Sequence, residues 1–152
     1  MAINSISKRS SAPSLRSGFV AGDREILQKY ARYRTYVGAA SPSPLQRAAS
    51  LAWRDVESVE KNRKKYLENL QLASEILCVD VPGETFYVWL YVGDDLQWTK
   101  NLLLRENILV LPGSFLSRED NGINPGKGYV RLALVYDREI IETALHGIKK
   151  CL

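Results

Sequence analysis

A lysine at position 8 lies among the hydroxyls of Ser5, Ser7, Ser10 and Ser11, with Arg16 eight residues on and Gly18 two further. These residue types suit a phosphorylated aldehyde. A lysine amine condenses with an aldehyde, and neighbouring positive charge lowers its pKa so that it acts as nucleophile and base. An arginine offers a phosphate dianion a planar, two-pronged donor set, and hydroxyls add further donors. Ser-x-Ser-Lys alone is a short pattern, and a polar segment that happens to hold Lys and Arg is its simpler account. The second candidate is Arg131, within Tyr129-Val130-Arg131-Leu132-Ala133. A charge inside a strand is costly unless it meets an anion, an open cleft or an acid such as Asp137 or Glu119.

The elements that position these residues follow from periodicity and turn chemistry. Gly18 to Gly22 is a short apolar run that reads as a strand. Asp23 is an N-cap for a helix over about 24–34, with Ile26, Leu27 and Tyr30 on one face. Gly38 to Pro44 is a loop by composition, and Pro44 suits the first turn of the next helix. No Gly or Pro follows until Pro82, and Leu67, Leu70, Ala73, Ser74 and Leu77 predict one long amphipathic helix over about 55–77. Thr85 to Val92 is aromatic and β-branched, hence a strand. Asp94 or Asp95 caps a helix to about Glu106, and Ile108 to Leu111 reads as a short buried strand. A turn-rich loop leads to a strand from Tyr129 to Val135, and Asp137 caps a final helix. Residues 56–152 thus read as an α+β layer led by a long helix. Residues 1–55 offer at most one or two strands and no obvious sheet of their own.

Composition narrows the function classes. With 45% apolar and 25% charged residues in 17.1 kDa, the chain has the make-up of a folded globular protein. No apolar run approaches the roughly 20 residues of a membrane span. MAINSISKRS lacks the apolar core of a signal peptide, so a cytoplasmic setting is expected. Cys78 and Cys151 are too few for a disulfide framework and are not spaced as a metal site, so no metal is expected. Cys78 is expected to be a small buried apolar residue. Residues 1–70 carry 13 Lys/Arg against 6 Asp/Glu, whereas residues 71–152 carry 8 against 11. The basic residues are scattered, and Lys61, Arg63, Lys64 and Lys65 interleave with Glu57, Glu60 and Glu68 at helical spacing. That is a solvated helix face rather than a nucleic-acid stripe. His146 reads as solvent-facing or capping, and Trp89 as a core or interface residue.

Taken together, Ser-x-Ser-Lys with Arg eight residues on, a long helix, Leu-Pro-Gly-Ser-Phe-Leu and then Tyr-Val-Arg-Leu-Ala resemble the pyridoxal-phosphate-dependent aminotransferases of fold type I (class I/II). In SKRSSAPSLRSGFVAGD and VLPGSFLSRED…NPGKGYVRLAL the chain is most similar to the bacterial succinyldiaminopimelate aminotransferases, which serve lysine biosynthesis. The resemblance runs the length of the chain but matches only the C-terminal portion of such an enzyme, rather less than half. It implies an α/β fold, with residues 1–55 as the edge of the large cofactor-binding domain and residues 56–152 as the α+β small domain with its linking helix. The implied cofactor is pyridoxal 5′-phosphate, and the implied substrates are an amino acid with a second acidic group and a 2-oxo acid. Lys8 matches the lysine that condenses with the cofactor and then moves a proton between the substrate's α-carbon and C4′. Ser5 and Arg16 match the phosphate anchors, and Arg131 matches the arginine that pairs with the substrate's α-carboxylate. At Ser14 the family commonly has glycine, a difference of local backbone rather than of chemistry.

The resemblance also implies a homodimer, or association with a separate N-terminal half. The family's acid at the pyridine nitrogen and the aromatic on the ring precede the lysine. The expectation is therefore a truncated chain that is not a competent transaminase alone. Two rivals stand beside it: a non-catalytic interaction module that keeps the small domain, and a basic RNA-binding protein.

Overall fold

The computed structural model describes residues 1–152, which divide into two compact units, Met1–Asn62 and Arg63–Leu152. In the first, β1 (Ala2–Ser5) pairs antiparallel with β2 (Gly18–Ala21), Ala2 opposite Ala21 and Ser5 opposite Gly18. The short helix α1 (Ile6–Arg9) and a 3-10 turn at Pro13–Leu15 fill the connection. The sequence reading expected one of these strands and missed β1, because AINS carries too little apolar alternation to announce itself. Ile6 is fully buried and pins the connection, its N–H bonded to the Ser17 carbonyl. Then come α2 (Arg24–Val37) and α3 (Ser43–Arg54). Asp23 caps α2 as its position predicts, accepting from the N–H groups of Glu25 and Ile26. Trp53 of α3 donates its indole N–H to Ser17 Oγ and meets the Phe19 ring at 5.4 Å, which ties α3 to the strand pair.

The helical stretch from Leu45 is interrupted once. Asp55 leaves helical geometry and accepts from the Ser58 N–H, so α4 (Val56–Leu77) starts as a separate helix. In the unit Arg63–Leu152 the buried stripe of α4, Leu70, Ala73 and Leu77, faces a three-stranded antiparallel sheet. Its strands are β3 (Tyr87–Tyr91), β4 (Leu111–Pro112) and β5 (Tyr129–Ala133), in the order β3-β5-β4. Helices α5 (Asp95–Glu106) and α6 (Arg138–Lys149) complete the core through Leu102, Ile141, Leu145 and Ile148.

The alternation of the strands divides the sheet cleanly. Val88, Leu90, Val130 and Leu132 are buried on the helix side, while Tyr87, Trp89, Tyr91, Tyr129 and Arg131 take the other face. Buried Asn69 of α4 donates to the carbonyls of Leu134 and Tyr136 and anchors the chain leaving β5. A Cβ on Gly113 would lie 2.3 Å from the Gly126 carbonyl oxygen, so only glycine allows the loop after β4 to close on the loop before β5.

Three expectations are corrected. Cys78 is exposed, because it ends α4 at φ +56° and its side chain turns outward. The strand expected over 108–111 pairs only at Leu111 and Pro112; Leu109 is 75% exposed, and Val110 alone of that run is buried. Asp137 does precede α6, but its carboxylate takes the Lys65 ammonium at 2.6 Å and makes no capping bond.

Candidate functional site

The β1–β2 connection places the first group of candidate residues. Ser5 closes β1 and caps α1, accepting from the Ser7 N–H at 3.2 Å and donating to the Ser17 carbonyl at 3.4 Å. The second bond is long, which leaves the hydroxyl hydrogen available to a nearer acceptor. Lys8 lies three residues after Ser5, one helical step along α1, and is exposed. Arg16 follows the 3-10 turn in left-handed geometry (φ 47°, ψ 48°) and donates from Nη1 to the Pro13 carbonyl at 2.9 Å. That bond orients the guanidinium and leaves most of its five donors unspent.

Ser5, Ser7, Arg16 and Arg34 line one open cavity of about 510 Å³, with Tyr30 and the β1 and β2 backbone completing the wall. No carboxylate lines it. Ser5, Ser7, Ser17 and Tyr30 bring hydroxyls and Arg16 and Arg34 bring guanidiniums to this lining, donors of the kind that an anion such as phosphate accepts. Lys8 lies outside that lining. The spacing of the sequence found Ser5 and Arg16; it did not single out Ser7, Tyr30 or Arg34. A signal was present, since Leu27, Tyr30 and Arg34 recur at three- and four-residue steps and put an arginine on the apolar face of α2.

In the unit Arg63–Leu152, Arg131 is half-buried at the middle of β5, opposite Trp89 on one side and Leu111 on the other. Its guanidinium carbon lies 4.5 Å from the centroid of the Tyr87 ring. Neither acid considered for it is its partner: Asp137 binds Lys65 instead. Beside it Trp89 stacks on Tyr129, centroids 5.7 Å apart and planes inclined by 14°. A guanidinium placed over an aromatic face leaves in-plane donors for an anionic partner.

Comparison with known proteins settles the family. Residues 1–148 match the family model of aminotransferase class I and II. The chain belongs to that family. Among curated relatives of this aminotransferase chain, the LL-diaminopimelate aminotransferase of Natranaerobius thermophilus is 33% identical over 154 residues, covering 95% of the chain and 38% of the relative. An aminotransferase structure from Neisseria meningitidis is 46% identical with a TM-score of 0.86, over 97% of this chain and 39% of that one. A probable N-succinyldiaminopimelate aminotransferase from Thermus thermophilus is 27% identical with a TM-score of 0.82, over 99% and 41%. The chain thus has the fold of the type I aminotransferases and spans about two fifths of the length of the relatives it matches.

Aminotransferases of this class depend on pyridoxal 5′-phosphate. The Ser5, Ser7 and Arg16 donor set fits its phosphate, and Lys8, one helical step from Ser5, is the amine nearest in sequence to those donors.

Proposed function

We propose that this chain serves the transfer of an amino group from an amino acid to a 2-oxo acid, with a succinyldiaminopimelate-type substrate that carries a second acidic group. The observation that carries the reading is the convergence of Ser5, Ser7 and Arg16 on one acid-free cavity beside the Lys8 helix. Relatives named for diaminopimelate and succinyldiaminopimelate support the substrate class.

Pyridoxal 5′-phosphate, when bound, supplies the electron sink that lets a proton leave the substrate's α-carbon. The residues of this chain do the rest. Ser5 and Ser7 would hold the phosphate with their hydroxyl donors, and Arg16 with its forked N–H groups. The Lys8 amine would hold the cofactor through its aldehyde and would serve as the base that moves the substrate's α-proton. Arg131, lying over Tyr87, takes the α-carboxylate with its forked donors and fixes which bond at the α-carbon is labile. The reading includes a cytoplasmic homodimer. Residues 1–152 assayed alone are expected to lack turnover, because no carboxylate lines the cavity at Ser5 and Arg16 to pair with the ring nitrogen.

The test is a trap. The chain is mixed with limiting pyridoxal phosphate, reduced with borohydride, digested and mapped, with Lys8→Ala as control. Nine lysines compete, so strong selectivity for Lys8 supports the reading. Labelling scattered over the other lysines would overturn it.

A further inference from the structure

We propose that Trp53 is a positioning residue for the site: the last turn of α3 holds α1 from both ends and so fixes where Lys8 stands relative to Ser5 and Arg16. The inference rests on the aminotransferase reading for what those three side chains do, and adds what sets their places. A helix of four residues, Ile6–Arg9, does not persist on its own in water, so its orientation has to come from outside.

Ahead of Lys8 the holding point is Ser17. Its carbonyl accepts the Ile6 N–H at 3.1 Å and the Ser5 hydroxyl at 3.4 Å, and its own hydroxyl accepts the Trp53 indole N–H at 2.9 Å. Ser17 directly follows Arg16, so one residue tied to α3 governs both the start of α1 and the turn that carries the guanidinium. Past Lys8 the hold is on Arg9 and Ser10. Arg9 Nη1 donates to the Ala52 carbonyl at 3.4 Å and to Ser10 Oγ at 3.2 Å, and the Ser10 hydroxyl reaches the same Ala52 carbonyl at 3.4 Å. The Arg9 guanidinium carbon also lies 5.4 Å from the centroid of the Trp53 ring. The break at Asp55 makes this second hold possible. In a continuous helix the N–H of residue 56 would take the Ala52 carbonyl. Because α3 stops at Arg54, that carbonyl is left over at the negative end of the helix, where it meets a cation.

The borohydride trap is run on the wild-type chain, Trp53→Phe, Ser17→Ala, Ser17→Thr and the double variant of Trp53→Phe with Ser17→Ala, with circular dichroism confirming each fold. Trp53→Phe keeps a ring toward Arg9 and Phe19 and removes the indole N–H. Selectivity for Lys8 is expected to fall about 5-fold in Trp53→Phe and in Ser17→Ala. It should fall no further in the double variant, and return in Ser17→Thr, which restores the hydroxyl. Amide exchange followed by NMR without cofactor should quicken at the Ile6 N–H by about the same factor in Trp53→Phe, with α2 and β5 unchanged. Wild-type selectivity that survives in both single variants would overturn the role of Trp53 and leave the aminotransferase reading standing. Labelling scattered already in the wild type would overturn that reading, and the role of Trp53 with it. Losses that multiply in the double variant, or exchange that quickens throughout the chain, would reduce the effects to unrelated losses of stability and overturn the inference as well.

Discussion

Replacing Asp95 by asparagine tests how the start of α5 holds the two loops beside the sheet. Asp95 is 3% exposed and accepts from the Ser114 N–H on Oδ2 at 2.9 Å and from the Gly128 N–H on Oδ1 at 3.3 Å. Burial is the largest single influence on its carboxyl and acts against ionisation. The Ser114 side chain and the N–H groups of Ser114 and Gly128 outweigh it and hold the carboxyl below its ordinary 3.8. The Ser114 hydroxyl acts by proximity, since its Oγ makes no well-formed hydrogen bond. An asparagine amide keeps one acceptor and turns an NH₂ toward the other N–H. One buried donor is orphaned at about 1–3 kcal/mol, partly relieved because a neutral amide is easier to bury. The expected loss at pH 7 is therefore about 1–3 kcal/mol.

The sign with pH follows from the direction of the shift. A carboxyl held lower in the folded than in the unfolded chain stabilises above the unfolded value and loses that stabilisation as pH falls through the folded value. Urea unfolding followed by far-UV circular dichroism and by tryptophan fluorescence, from pH 7 to about pH 2.5, should show the gap between wild type and Asp95→Asn steady down to about pH 4 and closing below it. A gap that fails to narrow below about pH 4, or its absence at pH 7, refutes the reasoning.

Two further outcomes are expected. Asn69→Ala orphans the buried Leu134 carbonyl and frees that of Tyr136, and should cost about 2–4 kcal/mol in the same urea assay; a loss under about 0.5 kcal/mol would show that water replaces the amide. A thiol reagent should modify exposed Cys78 in the native chain well before half-buried Cys151, as read by mass spectrometry after short exposure, and the reverse order would contradict the outward turn at the end of α4.

The long-range periodic elements were legible because burial writes a repeat into them: α4, β3, α5, β5 and α6 all announce themselves by spacing. What stayed illegible was set by single contacts. Asp55 breaks the helix through one bond to Ser58, a local choice that residue type permits but does not dictate. Cys78 has the composition of a core residue, and only the positive φ that ends α4 turns it outward. Asp137 stands where a cap belongs and is claimed by Lys65, 72 residues away in sequence. In the site, Ser5 and Arg16 came from local spacing. Arg34 joins them through the packing of α2, which no short motif records.

The order of the small sheet has a consequence for synthesis. Its central strand, β5, is the last of the three to be made, and both neighbours pair only with it. Tyr91 and Tyr129 are partners across 38 positions of chain, so β3 waits, unpaired, while all of α5 and the following loop are added. During that interval the apolar stripes of α4 and α5 have no sheet to cover them, and assembly becomes a single late event rather than a growing one. A pause in translation before residue 133 would hold the chain in its most aggregation-prone form, so the stretch from β3 to β5 is where a nascent chain most needs protection from its neighbours.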